Sequence, residues 1–531
     1  MAQGQRQVKV ACFVAACSMA FRLAFSAGSL VVVDLARRRR ATPAFCEVPA
    51  SESVVHKPHL PVLERSHLVV QNRKTLSQVY DVDTRRGDGA FGSVFEATHK
   101  ATGIRRAVKQ VRKGRTRFSE FVAEVEVLAE IDHPHVVKIV EWFEDQHNFF
   151  IVQELCTGPD LLEFVLARKN ADFKGLSEKE VSIIMRQALK ALVTCHAQGI
   201  IHRDVKPENF MITGVTQTVK MIDLGLAARF APREHVMGHV GTEDYMAPEV
   251  LFGQPQDSSV DIFSLGVTLY VLLTGTFLLP QTNREKQRAL QSSDWLVKRV
   301  SNSKQLRSRS VSATALDLLA RMLEHDPRVR IRAGEALSHP FILAHCHDHL
   351  GGVSAMLTPS LDAACMERLR LFAECTPIKK IGKLALVHVV SAQDEHLERA
   401  RLLFRSLDKS GMGMISFEEL LAGLHAHELE APPDLRSVFD LCDCDGKGQL
   451  SLVEWLSCHF DDKFVNDKLC REVFNLLDRS GTGSLDPADL RQLTEAQRDV
   501  PLPQGRAFIT YDEFRRHMMS QDMSSRAAGC A

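Results

Sequence analysis

The sequence predicts an α+β fold in two parts, a bilobal domain of strands and helices followed by an all-α domain. The first part opens with strand-like runs around "GDGAFGSVFEA" at 87–97, and helical periodicity follows in "FSEFVAEVEVLAEI" at 118–131. The second part contains three acidic twelve-residue loops that start 35 residues apart, with amphipathic segments between them. A chain of 531 residues is too long for one core, so about two to four domains are expected.

The composition is that of an ordinary globular protein, with 45% hydrophobic residues, 25% charged residues and a formal net charge of +0. This balance argues against a nucleic-acid binder and against a chain that is polybasic as a whole. The 13 cysteines are odd in number and lack the paired spacing of zinc sites. They suit free thiols in a reducing compartment better than a disulfide framework.

The N-terminus departs from this composition. Residues 10–33 are mostly apolar and are followed by a basic cluster, Arg37–Arg40. Their length would permit a membrane span, but the central Arg22 makes insertion marginal. We interpret residues 1–40 as a targeting or membrane-anchor segment, with an unstructured extension as the open alternative, and residues 41–79 as a linker. The expected location is the cytoplasm, with membrane association or organelle targeting left open.

A glycine-rich strand pair and a lysine are the first signs of phosphate chemistry. The motif G-x-G-x-x-G-x-V comprises Gly87, Gly89, Gly92 and Val94. Glycines let the backbone approach phosphate oxygens where a Cβ would collide. Lys109 follows in the strand-like "RRAVKQV", and Glu124 lies on the predicted helix. Brought together across strand and helix, these two residues could hold the α and β phosphates of a nucleotide.

The order of the next motifs is far more specific than any one of them. The motifs "IHRDVKPEN" (201–209), "DLG" (223–225) and "MAPE" (246–249) follow one another at workable separations. Residues 80–341 therefore resemble the protein kinases, and we assign them to a protein kinase domain. The catalytic loop is of the serine/threonine type.

The resemblance implies a role for each matching residue. Asp204 would accept the proton of the substrate hydroxyl, and Lys206 would stabilise charge on the transferring phosphoryl group. Asn209 and Asp223 would hold Mg²⁺. The residues implied to contact ATP besides the glycine loop, Lys109 and Glu124 are Glu154 and Cys156 of the hinge and Asp160 near the ribose.

Other residues of this domain are expected to be structural. Asp261 resembles the buried anchor of a central helix, and Arg330 would pair with Glu249. Leu224 stands where the family usually has phenylalanine, which predicts altered packing and retained activity. Thr242 is expected to contact the catalytic aspartate.

The three acidic loops, 408–419, 443–454 and 478–489, have the pattern of EF-hand calcium loops. Each has Asp at the first position, Gly at the sixth, an aliphatic residue at the eighth and a carboxylate at the twelfth. The residues at ligand positions, some of them by position or backbone only, are Asp408, Ser410, Met412, Met414, Glu419, Asp443, Asp445, Lys447, Gln449, Glu454, Asp478, Ser480, Thr482, Ser484 and Asp489.

All three loops are expected to bind Ca²⁺ weakly. Met412 offers no side-chain oxygen, and Asp489 is one methylene shorter than the usual bidentate Glu. Lys447 adds a positive charge whose repulsion of Ca²⁺ is of order 1 kcal/mol. This lysine can swing outward and leave water at its ligand position. We therefore expect dissociation constants at the weaker end of the sensor range, about 10⁻⁶ to 10⁻⁵ M.

A fourth loop near 502–513 is interpreted as vestigial. Ile509 and Glu513 fit its eighth and twelfth positions, but Leu502 stands at its first. We expect it to pair its short strand with the third loop and to bind no metal.

The segment that joins the two parts, residues 342–392, contains a basic amphipathic stretch typical of autoinhibitory helices, beginning after Pro377. An ordinary linker helix is the alternative. Residues 393–520 then form the EF-hand domain, and residues 521–531 a tail.

A kinase joined to EF-hands resembles the calcium-dependent protein kinases. The resemblance implies a serine/threonine kinase that uses ATP, Mg²⁺ and Ca²⁺, is autoinhibited by the junction and is released when Ca²⁺ binds the EF-hands. Its expected partners are protein substrates with Ser or Thr in a basic context, and the chain is expected to be a monomer. A Ca²⁺-independent kinase braced by its EF-hands and a pseudokinase scaffold remain as alternatives.

Overall fold

The computed structural model describes residues 65–89, 92–168, 176–214, 217–231, 235–345, 361–390, 394–494, 500 and 502–519. All of them belong to one compact unit within residues 60–531. The predicted targeting segment 1–40 and the tail 521–531 lie outside the described residues. Within the described ranges, no helix is both long enough and apolar enough to cross a membrane.

A six-stranded sheet forms the first lobe, in the order β1-β5-β6-β4-β3-β2. Its strands are β1 (Val70–Gln71), β2 (Tyr80–Gly89), β3 (Gly92–His99), β4 (Arg105–Arg112), β5 (Ile139–Glu144) and β6 (Asn148–Glu154). The helices of this lobe are α1 (Leu76–Val79) and α2 (Phe118–Glu130). Helix α2 buries Phe121, Val125 and Leu128 at helical spacing, which fixes the face that carries Glu124.

The prediction that residues 41–79 are linker is wrong for residues 65–79. A 3₁₀ turn forms at Arg65–Leu68, and β1 adds a parallel edge strand to β5, with Val70 opposite Glu141. Arg65 is 8% exposed and donates to the Ile131 carbonyl. A two-residue strand shows no alternation and a single buried arginine shows no periodicity, so the sequence pattern cannot reveal this segment.

The second lobe is mainly helical and is built around two buried helices. Its helices are α3 (Leu161–Ala167), α4 (Glu178–Ala197), α5 (Pro248–Leu251), α6 (Ser259–Thr274), α7 (Asn283–Leu290), α8 (Ser293–Ser301), α9 (Lys304–Ser308), α10 (Ala313–Met322), α11 (Ala333–Leu337) and α12 (Pro340–Leu343). Every residue of α6 is buried, and the helix ends at Gly275 with φ 68°. Its apolar, all-round burial makes it the centre of the lobe.

Two short antiparallel pairs frame the segment between these helices. They are β7 (Ile200–Ile201) with β10 (Ala228–Arg229), and β8 (Phe210–Thr213) with β9 (Thr218–Met221). A 3₁₀ turn at Pro207–Asn209 leads into β8. The loop with the predicted catalytic residues is thus held between β7 and β8.

The C-terminal part is helical with two small sheets. Its helices are α13 (Ala363–Ala373), α14 (Pro377–Val389), α15 (Glu395–Leu407), α16 (Phe417–Ala426), α17 (Leu435–Cys442), α18 (Leu452–His459), α19 (Asp467–Leu477), α20 (Pro487–Arg491) and α21 (Tyr511–Met519). Strands β11 (Met414–Ser416) and β12 (Gln449–Ser451) pair between the first two loops. Strands β13 (Ser484–Leu485) and β14 (Ile509–Thr510) pair next, so the expected pairing of the third loop with the fourth is confirmed.

The predicted autoinhibitory helix is α14, and it begins at Pro377 itself, the first helical residue, and not after it. Its residues 378–388 are all buried, and its ammonium groups Lys379 and Lys383 pair with Asp462 at 3.0 and 2.8 Å. The helix is therefore a core helix of the C-terminal part. At its end, His388 Nε2 lies 2.9 Å from the Val140 carbonyl of β5. The C-terminal end of α14 thus lies against the sheet of the first lobe.

Candidate active site and calcium loops

Strand β4, helix α2 and the segment after β9 bring three charged residues together. The Lys109 ammonium lies 2.6 Å from Glu124 Oε1 and 2.8 Å from Asp223 Oδ1. Burial disfavours the charged lysine, but the two carboxylates outweigh it and raise the pKa of Lys109 above its ordinary value. Lys109 in turn holds the pKa of the buried Asp223 low. The predicted pairing of Lys109 with Glu124 is confirmed, and Asp223 joins it.

The catalytic loop gathers around Asp204, which is 9% exposed. Lys206 Nζ donates to Asp204 Oδ2 at 2.7 Å, and Asn209 Nδ2 donates to the same oxygen at 3.1 Å. Thr242 donates to Oδ1 through its hydroxyl at 2.7 Å and its backbone N–H at 2.8 Å. The expected contact of Thr242 with Asp204 is confirmed, and it fixes the carboxylate in one orientation.

The backbone of this loop is held from beneath by Asp261 of α6, which is fully buried. Its carboxylate accepts N–H donors from His202 at 2.9 Å and Arg203 at 2.8 Å, and His196 Nε2 lies 2.8 Å away. Arg203 has φ 65°, a left-handed conformation that a non-glycine residue adopts only when its surroundings impose it. The anchor role predicted for Asp261 is confirmed.

The glycine-rich turn joins β2 to β3, with Gly87 opposite Val94 and Gly89 opposite Gly92. Its tip, residues 90–91, lies outside the described residues. A Cβ at Gly92 would come within 1.7 Å of the Gln110 carbonyl oxygen of β4, so only glycine fits there. The motif is therefore needed for sheet packing as well as for approach to a phosphate.

The predicted hinge follows β6. The Glu154 carboxylate bonds within the protein: its Oε1 accepts hydrogen bonds from Lys220 Nζ and from the Lys138 backbone N–H, each at 2.7 Å. Burial raises the pKa of the Cys156 thiol to about 12. Since the Glu154 carboxylate is engaged by these lysines, we expect the backbone groups of the hinge to recognise adenine. Asp160 caps α3 by accepting the Glu163 N–H at 2.8 Å.

The segment after Asp223 packs into the second lobe. Leu224 is 2% exposed and belongs to the main hydrophobic core. Asp244 pairs with Lys286 at 2.7 Å, which fixes a carboxylate within this segment. The predicted pair of Glu249 with Arg330 is confirmed, at 2.6 Å with both side chains buried.

The loop 443–454 (the second loop) has the donor set that suits Ca²⁺ best. One carboxylate oxygen each from Asp443, Asp445 and Glu454 lies within 4.8 Å of the others. Burial and the charges of the two aspartates raise the pKa of Glu454 to about 8. In this structure the Lys447 ammonium does not point outward but lies 3.0 Å from Asp445 Oδ2. The opposite charges of the Asp445 carboxylate and the Lys447 ammonium account for this contact.

The loop 478–489 (the third loop) closes in spite of its short twelfth residue. Asp489 Oδ1 accepts the Ser480 N–H at 2.8 Å, and Asp489 Oδ2 lies 3.4 Å from the Ser480 hydroxyl. Asp478 accepts three backbone N–H groups of the loop, from Gly481, Thr482 and Gly483. The shorter aspartate is thus within reach of the other ligand positions.

The loop 408–419 (the first loop) differs from both. Its Asp408 is fully buried and lies against α4 of the kinase domain, where Lys190 Nζ donates to the Asp408 carbonyl at 2.5 Å. Its Glu419 accepts the backbone N–H groups of Lys409 and Ser410, each at 3.0 Å. Met412 stands at the fifth position, so the donor set fits Ca²⁺ poorly.

Comparison with known proteins places this geometry in a family. The model of the protein kinase domain matches residues 80–342. Calcium-dependent protein kinase 3 of Plasmodium yoelii yoelii is 32% identical over 414 residues, which cover 77% of this chain and 73% of the relative. The chain belongs to the calcium-dependent protein kinase family.

Two further members of the calcium-dependent protein kinase family extend the similarity. Calcium-dependent protein kinase 7 of Arabidopsis thaliana is 31% identical over 436 residues, 80% of this chain and 77% of the relative. Calcium-dependent protein kinase 5 of Plasmodium falciparum is 28% identical over 502 residues, 89% of this chain and 84% of the relative. The chain is a protein serine/threonine kinase, and its α+β fold is the one that the sequence predicts.

The geometry of Asn209 and Asp223 in this calcium-dependent protein kinase can be compared with their predicted role as Mg²⁺ ligands. Asn209 turns its amide nitrogen toward Asp204, which leaves its amide oxygen as a ligand atom. Burial alone would raise the pKa of Asp223, but the Lys109 ammonium keeps this pKa below its ordinary value. Both residues therefore fit a Mg²⁺ ion bound with nucleotide phosphates.

Removing the Lys447 ammonium should strengthen Ca²⁺ binding at the second loop. Its contact with Asp445 must be broken before the carboxylate can ligate, and the exposed ammonium repels the ion by about 1 kcal/mol. We expect Lys447→Ala to lower the dissociation constant about fivefold, measured by calorimetric titration. Lys463→Ala, an exposed lysine outside the loops, is the matched control and should leave it unchanged. An unchanged constant in the Lys447 variant would contradict the assigned contact.

Sequence reasoning missed the residues through which the kinase domain holds its C-terminal part. Lys138 Nζ donates to the Val387 carbonyl of α14 at 3.0 Å, and Asp132 accepts the Val453 N–H of α18 at 2.8 Å. Lys190 could have indicated such a contact, since it lies in the otherwise apolar "ALKALV" of α4. A charged residue on a buried helix face calls for a partner from elsewhere in the chain.

Proposed function

We propose that this kinase transfers the γ-phosphoryl group of ATP to serine or threonine hydroxyls of proteins and that Ca²⁺ at its EF-hand loops controls the reaction. The observation that carries the proposal is the joined cluster of Lys109, Glu124 and Asp223 beside the ordered Asp204. Phosphoryl transfer needs positioning and charge stabilisation, and this cluster supplies both.

Each group has a distinct task in the proposed reaction. Asp204 accepts the proton of the substrate hydroxyl, and its orientation is set by Thr242 and Asn209. Lys206, 2.7 Å from Asp204, places positive charge where the phosphoryl group transfers. Mg²⁺ held by Asn209 and Asp223 would neutralise charge on the phosphates.

The proposed substrates carry basic residues near the target hydroxyl. Glu208 belongs to the catalytic loop, and its Oε2 is buried without a hydrogen-bond partner among the described residues. Burial raises the pKa of Glu208, and Asp160 and Asp204 add to the negative potential there. A substrate arginine or lysine would satisfy this carboxylate. We propose that the chain acts as a monomer in the cytoplasm, with residues 1–40 as a segment for membrane association or organelle targeting.

Regulation by Ca²⁺ is proposed as a shift between two arrangements of α14. In one, α14 and its neighbours dock on the first lobe through Lys138 and His388 while the catalytic groups are assembled. In the other, the junction blocks the substrate cleft. Ca²⁺ favours the docked arrangement if the second and third loops bind it more tightly there.

A Ca²⁺-independent kinase braced by its EF-hands is the second candidate. The contacts that favour it are those between the kinase domain and the C-terminal part, such as Asp132 with Val453, which involve no metal. A brace of this kind would stabilise the active lobes at any Ca²⁺ concentration.

Titration of peptide phosphorylation against free Ca²⁺ separates the two candidates. With Mg²⁺ and ATP in excess, we expect activity of the full chain to rise with a midpoint of about 10⁻⁶ to 10⁻⁵ M Ca²⁺. Equal activity in chelator would leave the brace as the better explanation. A peptide whose basic residues are replaced by neutral ones serves as the matched substrate control and should react more slowly.

A further inference from the structure

The first EF-hand loop is buried against the kinase domain. Gly411 and Gly413 are buried, whereas the corresponding glycines of the second and third loops are exposed. A Cβ at Gly411 would come within 2.8 Å of Lys190 Cγ and 3.0 Å of Leu337. A Cβ at Gly413 would come within 2.6 Å of His133. The backbone of this loop therefore packs directly on kinase side chains.

The other loops provide an internal comparison. A Cβ at Gly448 or Gly483, the sixth positions of the second and third loops, would meet nothing within 4 Å. The glycine at the sixth position is needed in every EF-hand loop for its turn. Only in the first loop, among these described loops, does it also admit a neighbouring domain.

A kinase ammonium group lies beside the first residue of the buried loop. Lys190 of α4 is 9% exposed and donates to the Asp408 carbonyl at 2.5 Å, with Asp408 Oδ2 3.8 Å away. One turn further along α4, the Thr194 hydroxyl donates to the Gly411 carbonyl at 3.2 Å. A buried ammonium needs a counter-charge, and among the described residues the fully buried Asp408 is the carboxylate paired with Lys190.

The donor set of the first loop does not suit Ca²⁺. Asp408 and Glu419 are its only carboxylates at ligand positions, and Met412 supplies no oxygen where the second loop would need one. The Lys190 charge opposes a second cation beside Asp408. The loop keeps its fold because Asp408 already accepts the N–H groups of Gly411, Met412 and Gly413.

We propose that the first loop is a docking element, in which the Lys190 ammonium takes the place of Ca²⁺ as counter-charge to Asp408 and holds the C-terminal part on α4 of the kinase domain. Docking at this point does not depend on Ca²⁺. Calcium regulation then acts through the second and third loops while the first serves as a fixed pivot.

The number of Ca²⁺ ions bound by the full chain is the first test. Equilibrium dialysis should give two ions per chain, and Asp408→Asn should leave that number at two. Asp443→Asn and Asp478→Asn are the matched variants and should each remove one ion. Three ions in the unmodified protein, or the loss of one ion in Asp408→Asn, would overturn the proposal. Binding of no ions would defeat the calcium-regulated function and leave the docking to the second test.

Hydrogen exchange tests docking itself. In Lys190→Met, which keeps the stem and removes the charge, backbone amides of residues 408–416 should exchange about tenfold faster, as expected for one lost charge-assisted hydrogen bond. The acceleration should be the same in chelator and in Ca²⁺. Lys179→Met, an exposed lysine on the same helix, should change nothing. Unchanged exchange in Lys190→Met, or protection of the loop only when Ca²⁺ is present, would overturn the proposal.

Discussion

Asp204→Asn should lower the rate of phosphoryl transfer by a factor of about 10² to 10⁴. The amide cannot accept the substrate proton, and it also loses the charge that organises Lys206 and Thr242 at 2.7 Å on either oxygen. The measurement is the initial rate with a basic serine peptide at saturating ATP, Mg²⁺ and Ca²⁺. Because the change is isosteric, the variant should keep its fold and its Ca²⁺ binding.

The same substitution at an exposed carboxylate is the control for this loss. Asp81 lies at the start of β2 with its side chain 68% exposed, and Asp81→Asn should retain full activity. If Asp204→Asn remained as active as the unmodified enzyme, the role assigned to the catalytic loop would be wrong. A parallel loss in both variants would point to a general defect of the preparation.

Glu454→Gln should remove most of the activation by Ca²⁺. Glu454 is the twelfth residue of the second loop, is 2% exposed and lies with Asp443 and Asp445 around the ligand position. Gln keeps the shape and removes the bidentate charge, so the Ca²⁺ concentration for half activation should rise about a hundredfold. The measurement is the calcium titration of kinase activity. Glu418→Gln, an exposed glutamate in the first loop, is the matched control and should leave the midpoint unchanged.

The same residue predicts how the calcium-free protein responds to pH. Burial and the two aspartates raise the pKa of Glu454 from 4.5 to about 8, so the folded state favours its protonated form. Its contribution to the free energy of unfolding is therefore fully present below pH 4.5 and is lost as pH rises toward 8. Glu454→Gln should flatten this part of the profile, measured by denaturant unfolding in chelator. A profile as steep as that of the unmodified protein would contradict the assigned pKa.

The sequence predicts which charged groups meet around Asp204, because they lie in short motifs whose spacing is fixed by local structure. Asp204, Lys206 and Asn209 share one loop, and their mutual contacts follow from its turn. The pairing of Lys109 with Glu124, which lie on different elements, is also predicted, because the kinase motifs follow one another in the expected order. The repeat of the acidic loops likewise predicts the helices that flank them.

Contacts between parts of the chain are what the sequence does not reveal. Nothing in the local pattern shows that Lys447 lies over Asp445 or that Lys190 meets Asp408, since both depend on packing. The basic residues of α14 suggest a helix that occupies the kinase cleft. In the structure, however, residues 378–388 of this helix are all buried within the C-terminal part. Periodicity describes one helix at a time and does not identify the surface that covers it.

The turn at Arg65–Leu68 gives the chain ahead of the catalytic motifs a role in both halves of the molecule. Arg65 is bonded to the first lobe at Ile131, while His67 lies 3.2 Å from the Leu493 carbonyl and accepts from Arg479 through its own carbonyl. Residues 65–68 therefore contact both the kinase domain and the EF-hand part. A shortened enzyme that starts at Tyr80 would therefore lose contacts to the kinase lobe and to the EF-hand part at the same time.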